Sequence, residues 1–209
     1  MTTPQDDIPA IAPDGDALDF AKGDGLLPAV VQDAATLRVL MLGYMDRAAF
    51  DETLRRGEVT FFSRSKNRLW TKGEASGHVL ELVSMQMDCD ADTLLVLATP
   101  RGPTCHLQRP SCFPGAPAAT LAELDALVES RERERPEGSY TTRLFDGGLR
   151  RIAQKVGEEG VETALAALVQ TDEDLLGESA DLLYHLIVLL RARGLSLADA
   201  ERVLAARGG

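Results

Sequence analysis

The sequence has few aromatic residues, few cysteines and fewer basic than acidic side chains. Only 5% of its 209 residues are aromatic, so we expect cores built mainly from Leu, Val and Ala. The 22 basic and 33 acidic residues give a net charge of −11. This balance argues against a general nucleic-acid binder, which needs a basic footprint. It does not exclude an anionic substrate, because a local basic patch can oppose the net charge.

Long hydrophobic runs and targeting signals are also lacking. No apolar run approaches the roughly 20 residues that a membrane span needs. The first 16 residues are acidic and have no basic region followed by an apolar one, which indicates that they are not a signal peptide. We therefore expect a cytoplasmic protein. Its three cysteines are an odd number, and without export they favour a metal or reactive site over a disulfide scaffold.

The pattern of the chain changes near residue 117, which predicts a two-domain α+β fold. The first part predicts one helix, 47–56, between the N-cap Asp46 and Gly57, and strands over 29–32, 38–42, 59–63, 79–87 and 93–98. The second part has no convincing strand and predicts an all-α domain, with Asp172 as N-cap of its fourth helix. Its predicted helices span 121–134, 140–145, 149–169, 173–193 and 196–206.

These patterns predict three segments. Residues 1–24 form a flexible N-terminal arm, 25–116 a β-rich domain with small strands and one helix, and 117–209 an all-α domain.

An acidic segment, Asp88-Cys89-Asp90-Ala91-Asp92, is the first candidate site. Its three carboxylates repel one another unless they are solvated or bind a cation. At a strand end, period-two alternation would direct the aspartates to one side and Cys89 to the other. The oxygen side suits Mg²⁺ and the thiolate side suits Zn²⁺. A solvated acidic turn is the alternative.

The second candidate is Cys105-His106, followed by Cys112 in a loop rich in Gly and Pro. A lone buried cysteine is usually a small hydrophobe. Three thiolates with one open position are, however, a plausible catalytic zinc site. His106 can be a fourth ligand or can stay free as an acid/base group, and we favour the free role.

A basic segment is the third candidate. Between Val59 and Gly73 it holds four basic residues and no acidic one, together with hydroxyls and the single Trp. This composition suits a phosphate-bearing ligand with an aromatic ring. A basic hairpin edge that discourages aggregation is the alternative. The residues predicted to bind substrate here are Ser63, Arg64, Ser65, Trp70, Lys72 and Glu74.

Acidic residues on two predicted helices form the fourth candidate. One helix carries carboxylates at i,i+3 and i,i+4 spacing and the next carries a pair at i,i+3, so antiparallel packing can gather them around Mg²⁺. The alternative is a solvated helix face. The predicted magnesium ligands are Glu158, Glu159, Glu162, Glu178 and Asp181. Arg143 and Lys155 are predicted to bind phosphates, although Lys155 can instead pair with Glu159.

The motifs resemble two enzyme families. The resemblance to phosphoribosyl-AMP cyclohydrolases is carried by FFSRSKNRLWTKGEASGH, DCDAD, GPTCH and SCF. The tail is similar to phosphoribosyl-ATP pyrophosphatases in RPEGSYTTRLFDGG, QKVGEEGVE and ESADLLYHL. Its EExxE…ExxD pattern is shared with the wider MazG-like pyrophosphatases, which implies a helical bundle of that type. Fused in this order, the two parts resemble the bifunctional enzymes of histidine biosynthesis.

The resemblance implies two activities. The helical domain would hydrolyse phosphoribosyl-ATP to phosphoribosyl-AMP and pyrophosphate, and the β-rich domain would then open the purine ring at N1–C6 by attack of zinc hydroxide. His106 would assist proton transfer. The implied cofactors are Mg²⁺ in the helical domain, Mg²⁺ on Asp88, Asp90 and Asp92, and Zn²⁺ shared between the subunits of a homodimer. The implied zinc ligands are Cys89, Cys105 and Cys112.

Two other functions would carry different sequence signatures. A zinc nucleobase deaminase fused to a housekeeping nucleoside triphosphate pyrophosphatase would carry His-x-Glu with Pro-Cys-x-x-Cys. Neither pattern occurs in the sequence. A non-catalytic, zinc-stabilised dimerisation module would hold its metal with four protein ligands and leave no open position.

Overall fold

The computed structural model describes residues 12–208. The chain divides between Ala119 and Thr120 into two compact units, which we call the β-rich unit and the helical unit. The predicted two-domain α+β fold class is confirmed. None of the helices in the described range is both long and apolar enough to cross a membrane.

Within residues 12–119, the β-rich unit contains a four-stranded sheet, a separate two-stranded sheet and one α-helix. In the larger sheet the strand order is β2-β1-β6-β5, and only β1 and β6 are parallel. The smaller sheet pairs β3 with β4. The elements are β1 (Leu27–Asp33), β2 (Val39–Met45), α1 (Arg47–Arg56), β3 (Thr60–Ser63), β4 (Arg68–Thr71), β5 (Leu80–Met87) and β6 (Leu94–Pro100).

One face of the larger sheet forms the core of this unit. Alternate residues of β1, namely Leu27, Ala29 and Val31, are fully buried, because successive strand side chains point to opposite faces. Leu94, Val96 and Ala98 of β6 are buried in the same alternation. Each large aliphatic side chain buried in this way contributes about 1.5–3 kcal/mol. A one-residue shift in register would expose the whole set, so the pattern fixes the pairing.

Helix α1 begins and ends where the sequence predicts. The Asp46 carboxylate accepts a hydrogen bond from the Ala49 amide at 2.7 Å, and Gly57 ends the helix at φ 69°. Glycine adopts this left-handed conformation without steric cost. Ala49 and Phe50 direct the buried face of the helix into the core.

Strand β4 was not predicted. It pairs antiparallel with β3, and Phe61 lies opposite Trp70 with ring centroids 5.8 Å apart. The strand is short and begins with an exposed arginine, so its sequence lacks the apolar alternation that marks a half-buried strand.

The structure also differs from the predicted N-terminal arm. Residues 1–11 lie outside the described range. Residues 12–24, predicted to be flexible, contain two 3₁₀ helices, Gly15–Ala17 and Phe20–Gly23. Leu18 between them is buried in the core cluster, and the Asp19 amide donates to the Ala91 carbonyl at 2.8 Å. A tertiary contact of this kind carries no periodic sequence signal.

Over residues 120–208, the helical unit contains five helices. They are α2 (Thr120–Glu134), α3 (Tyr140–Asp146), α4 (Gly148–Val169), α5 (Asp172–Arg191) and α6 (Leu197–Arg207). Val128, Leu144, Ile152, Ile187 and Val188 form its core. They come from α2, α3, α4 and α5, so the packing of these helices creates the core.

The predicted N-cap of α5 is wrong by one residue. Thr171, not Asp172, is the cap, because its hydroxyl accepts from the Asp174 amide at 3.2 Å. The Asp174 carboxylate accepts in return from the Thr171 amide at 3.1 Å. This reciprocal capping box outcompetes a cap by Asp172, which is the first helical residue.

Candidate active sites

The three aspartates of the acidic segment lie together in the turn between β5 and β6. One carboxylate oxygen from each of Asp88, Asp90 and Asp92 lies within 4.8 Å of the others. A turn, rather than the predicted strand alternation, produces this clustering. Ala91 adopts φ 59°, and the Asp88 amide donates to the Thr93 carbonyl at 3.1 Å.

The carboxylates of this turn have defined partners. The Asp88 carboxylate accepts from the amides of Asp92 and Thr93 at 3.0 and 3.1 Å. The Lys22 ammonium lies 2.6 Å from Asp90 and 3.3 Å from Asp92. Its hydrogen bond lowers the pKa of Asp90, and the two carboxylates raise the pKa of Lys22. Lys22 was not recognised from the sequence, since 68 residues separate it from Asp90.

Cys105 and Cys112 line a cavity of about 350 Å³ in the β-rich unit. The Cys105 amide donates to the Arg109 carbonyl at 3.0 Å, which closes a tight turn. The Cys112 amide donates to the Leu40 carbonyl at 2.8 Å, which anchors the second thiol to β2. Of the predicted residues, the cavity is also lined by Trp70, Lys72, Glu74 and His106.

The two thiols have different environments. The Leu107 amide, 3.5 Å from the Cys105 sulfur, lowers the pKa of that thiol, and Arg109 acts in the same direction. Burial raises the pKa of Cys112. His106 Nδ1 lies 4.0 Å from the Cys105 sulfur. A pair of close thiols with one lowered pKa suits a soft or borderline metal such as zinc.

Cys89 and Cys112 are exposed, and Cys105 is buried. Over residues 12–208, both groups of three or more potential metal ligands contain only carboxylates. Within the described part of one chain, therefore, Cys89 does not complete a three-ligand set with Cys105 and Cys112.

Lys72 lies in the wall of the thiol cavity and is only 7% exposed. Its ammonium donates to the His78 carbonyl at 3.0 Å. Burial lowers the pKa of Lys72, while the nearby Cys112 and Cys105 act in the opposite direction. Lys72 is thus buried, unlike the exposed basic residues of the same segment. Glu74, another residue that lines this cavity, accepts a hydrogen bond from Arg68 that lowers the pKa of its carboxyl.

A second cavity of about 320 Å³ holds the other predicted residues of the basic segment. Its lining includes Ser63, Arg64 and Ser65, and it shares Trp70 with the thiol cavity. The Arg64 guanidinium lies 3.8 Å from the ring centroid of Tyr44. Such a cation–π contact orients the planar guanidinium. Tyr44 was missed because the contact joins β2 to the turn after β3.

The helical unit gathers three of its five predicted magnesium ligands. Carboxylate oxygens of Glu159, Glu178 and Asp181 lie within 4.8 Å of one another. Burial, and after it the charges of Glu162 and Glu159, raise the pKa of Glu178. Glu158 and Glu162 lie outside this group of three. Glu158 contacts Lys155 at 3.0 Å, and that hydrogen bond lowers the pKa of Glu158.

Lys155 and His185 both lie beside the buried Glu159. The Lys155 ammonium lies 2.7 Å from the Glu159 carboxylate, as the alternative interpretation of Lys155 expects. His185 Nδ1 donates to the Asp181 carbonyl at 2.8 Å and lies 3.5 Å from Glu159. Its Nε2 lies 3.1 Å from the Tyr140 hydroxyl. His185 was missed, because its apolar neighbours in the sequence resemble a core position.

Arg143 lies on α3, beside Tyr140. Its guanidinium is 5.5 Å from the Tyr140 ring centroid, and it donates to the Gly138 carbonyl at 3.1 Å. These contacts leave part of the exposed guanidinium available to an anion.

Comparison with known proteins identifies the family. Residues 41–114 match the family model of phosphoribosyl-AMP cyclohydrolase, and residues 121–208 match that of phosphoribosyl-ATP pyrophosphohydrolase. The histidine biosynthesis bifunctional protein HisIE of Xylella fastidiosa strain Temecula1 is 74% identical over 91% of this chain and 92% of its own. The chain belongs to the bifunctional HisIE family. The HisIE protein of Escherichia coli K12 is 57% identical over 86% of this chain and 90% of its own. That of Shewanella oneidensis is 56% identical over 91% and 90%.

The two family models cover different candidate sites of this HisIE-family chain. The cyclohydrolase match contains the acidic turn, the thiol cavity and the second cavity. Lys22, which contacts the acidic turn, lies before the matched residues. The pyrophosphohydrolase match contains the carboxylate cluster of α4 and α5.

Proposed function

We propose that the chain catalyses two successive hydrolytic steps of histidine biosynthesis. The helical unit hydrolyses phosphoribosyl-ATP to phosphoribosyl-AMP and pyrophosphate, and the β-rich unit opens the purine ring of phosphoribosyl-AMP between N1 and C6. One observation carries the proposal: each family match contains its own set of potential metal ligands.

In the helical unit, Glu159, Glu178 and Asp181 would hold Mg²⁺, with Glu158 and Glu162 beside them. The fit is supported by the clustered oxygen ligands that Mg²⁺ prefers and by the raised pKa of Glu178, which a bound cation would reverse. Magnesium, when bound, neutralises phosphate charge and positions water. Lys155 and Arg143 would bind phosphate oxygens and orient the α–β anhydride for hydrolysis.

In the β-rich unit, Cys105 and Cys112 would hold Zn²⁺ together with Cys89 of the partner subunit. The fit is supported by the adjacent thiols, one with a lowered pKa. Zinc, when bound, acts as a Lewis acid and lowers the pKa of water to about 7. His106 would transfer the proton that accompanies addition of water at C6 and cleavage of the N1–C6 bond.

The rest of the substrate would extend from the thiol cavity into the second cavity. Trp70 borders both, so its indole can stack on the purine while Arg64 binds a phosphate. Ser63 and Ser65 would donate further hydrogen bonds. Lys72, buried beside the thiols, and Glu74 would bind substrate from the thiol side.

Asp88, Asp90 and Asp92 would hold a second Mg²⁺, a role that their three clustered oxygens support.

A homodimer with a shared zinc site is part of the proposal. Its first support is the separation of Cys89 from the other two thiols among the described residues. Self-association of the chain is also supported by exposed aliphatic side chains on α4 and α5 of the helical unit, where Leu168 is 80% and Leu176 70% exposed.

Separation of the two activities tests the function. Glu159→Gln is expected to abolish pyrophosphate release from phosphoribosyl-ATP but to leave turnover of supplied phosphoribosyl-AMP intact. Cys105→Ser is expected to do the reverse. Glu173→Gln, an exposed change on α5, is the matched control and should preserve both. Loss of both activities from either variant, with the fold retained by circular dichroism, would contradict the two-site proposal.

A further inference from the structure

The Lys22 ammonium lies where the carboxylates of the acidic turn converge. Its Nζ is 2.6 Å from an Asp90 oxygen and 3.3 Å from an Asp92 oxygen. With Asp88, these two residues form the group whose oxygens lie within 4.8 Å of one another. A positive side chain of the protein itself therefore uses the ligands that we assign to a divalent cation.

Lys22 is presented by an ordered segment. It belongs to the 3₁₀ helix Phe20–Gly23, and its amide donates to the Asp19 carboxylate at 3.2 Å. The Asp19 amide in turn donates to the Ala91 carbonyl at 2.8 Å, within the acidic turn. Leu18, the residue before Asp19, is buried in the core of the unit. The backbone contacts of this segment thus position the Lys22 ammonium beside the turn.

The geometry does not allow both cations on the same oxygens. A divalent ion such as Mg²⁺ binds carboxylate oxygens at about 2.1 Å and demands near-octahedral geometry. An ammonium held at 2.6 Å by Asp90 occupies the space and the lone pairs that this coordination needs. An ion that binds the oxygens contacted by Lys22 displaces the ammonium, and the displaced charge still lies nearby and repels the ion.

We propose that Lys22 is an internal competitor for the divalent cation at Asp88, Asp90 and Asp92. This inference rests on the cation site of the proposed function. Lys22 offsets part of the negative charge of the acidic turn in the absence of the ion and weakens the affinity of the turn for the ion. Occupancy of the site by metal is consequently coupled to release of the Lys22 ammonium from Asp90 and Asp92.

Titration with Mn²⁺, followed by the electron paramagnetic resonance signal of the free ion, tests the inference. The full-length chain with Glu159→Gln serves as the parent, because that change is expected to weaken Mn²⁺ binding in the helical unit. Adding Lys22→Met should tighten Mn²⁺ binding in the β-rich unit roughly tenfold, since a close positive charge is lost. Lys22→Arg, which keeps the charge, and Lys66→Met, which removes an exposed charge elsewhere in the unit, should bind as the parent does.

An unchanged or weaker affinity in folded Lys22→Met protein would overturn the inference. Lys22→Gln provides a second neutral variant with the same expected result, and thermal melting verifies that each variant is folded. Asp90→Asn separates this failure from failure of the cation site. If Asp90→Asn weakens Mn²⁺ binding while Lys22→Met does not strengthen it, the site stands and only the competition is wrong. If Asp90→Asn has no effect, the assigned cation site is wrong and the inference falls with it.

Discussion

Several charged side chains at the candidate sites are oriented by residues distant in sequence. Arg64 lies over the ring of Tyr44, and Glu159 lies 3.5 Å from Nδ1 of His185. An arginine or carboxylate loses side-chain entropy when it binds a ligand, so a partner that fixes its orientation beforehand reduces that cost. We therefore expect the partners to affect substrate binding without contacting the reacting atoms.

Replacement of Tyr44 tests this at the second cavity. Tyr44→Leu removes the ring below Arg64 and should raise KM for phosphoribosyl-AMP about fivefold, the equivalent of a cation–π contact of about 1 kcal/mol. The value of kcat should change little. Tyr44→Phe keeps the ring face and should restore the original KM. Equal KM values for the Leu and Phe variants, measured by steady-state kinetics, would show that the ring does not position Arg64.

The raised pKa of Glu178 predicts a pH dependence of stability. Burial and neighbouring carboxylates disfavour its ionised form in the folded, metal-free protein. The folded-state pKa therefore exceeds the ordinary value of 4.5, and stability falls as the pH rises from that value through the raised one. Glu178→Gln should accordingly raise the Tm of metal-free protein at pH 7, and this gain should disappear at acidic pH.

Magnesium provides the complementary measurement. Added Mg²⁺ should raise the Tm of the parent protein, because it binds only the folded state, and should raise that of Glu178→Gln less. The exposed Glu173→Gln is the control, and its Tm should match that of the parent both without metal and with Mg²⁺. A lower Tm for metal-free Glu178→Gln at pH 7 would contradict the prediction.

At the scale of the elements, a buried ion pair joins three helices of the helical unit. Asp125 on α2 accepts two hydrogen bonds from Arg191 on α5, at 2.6 and 2.7 Å. It also accepts from the amide of Leu197, the first residue of α6, at 3.3 Å. Since Asp125 is buried, loss of one partner would leave a desolvated charge.

Asp125→Ala should therefore lower the free energy of unfolding of the helical unit by about 3 kcal/mol, measured by urea denaturation. Glu129→Ala removes a neighbouring carboxylate that contacts the same arginine at 3.0 Å but is half exposed. This change should cost less than about 1 kcal/mol, as exposed pairs do. Similar losses in both variants would mean that burial does not govern the contribution of Asp125.

At the scale of the whole molecule, the two units carry separate sets of potential ligands. The carboxylate cluster of the helical unit is drawn from α4 and α5 of one chain. The proposed zinc site, in contrast, requires Cys89 from a second chain. The cyclohydrolase activity should therefore depend on association of subunits, because the metal ligands would be complete only in the dimer.

Mixing two inactive variants tests the shared site. Homodimers of Cys89→Ala and of Cys105→Ala should each lack cyclohydrolase activity. After chain exchange, one site of the heterodimer contains all three native cysteines, since Cys89 comes from one chain and Cys105 and Cys112 from the other. Partial activity should then return. Failure to recover activity, despite exchange shown by native mass spectrometry, would place the zinc within a single chain.

Sequence patterns alone determined the fold class, most elements and the family. Alternation fixed the buried strands, caps fixed α1, and helical spacing marked the carboxylates of α4 and α5, because these signals are local. Only the tertiary structure decided the rest. It selected Glu159, Glu178 and Asp181 from the five predicted ligands, buried Lys72 beside the thiols, and brought Lys22 to Asp90. These contacts join residues far apart in sequence and depend on tertiary packing, so no local periodicity predicts them.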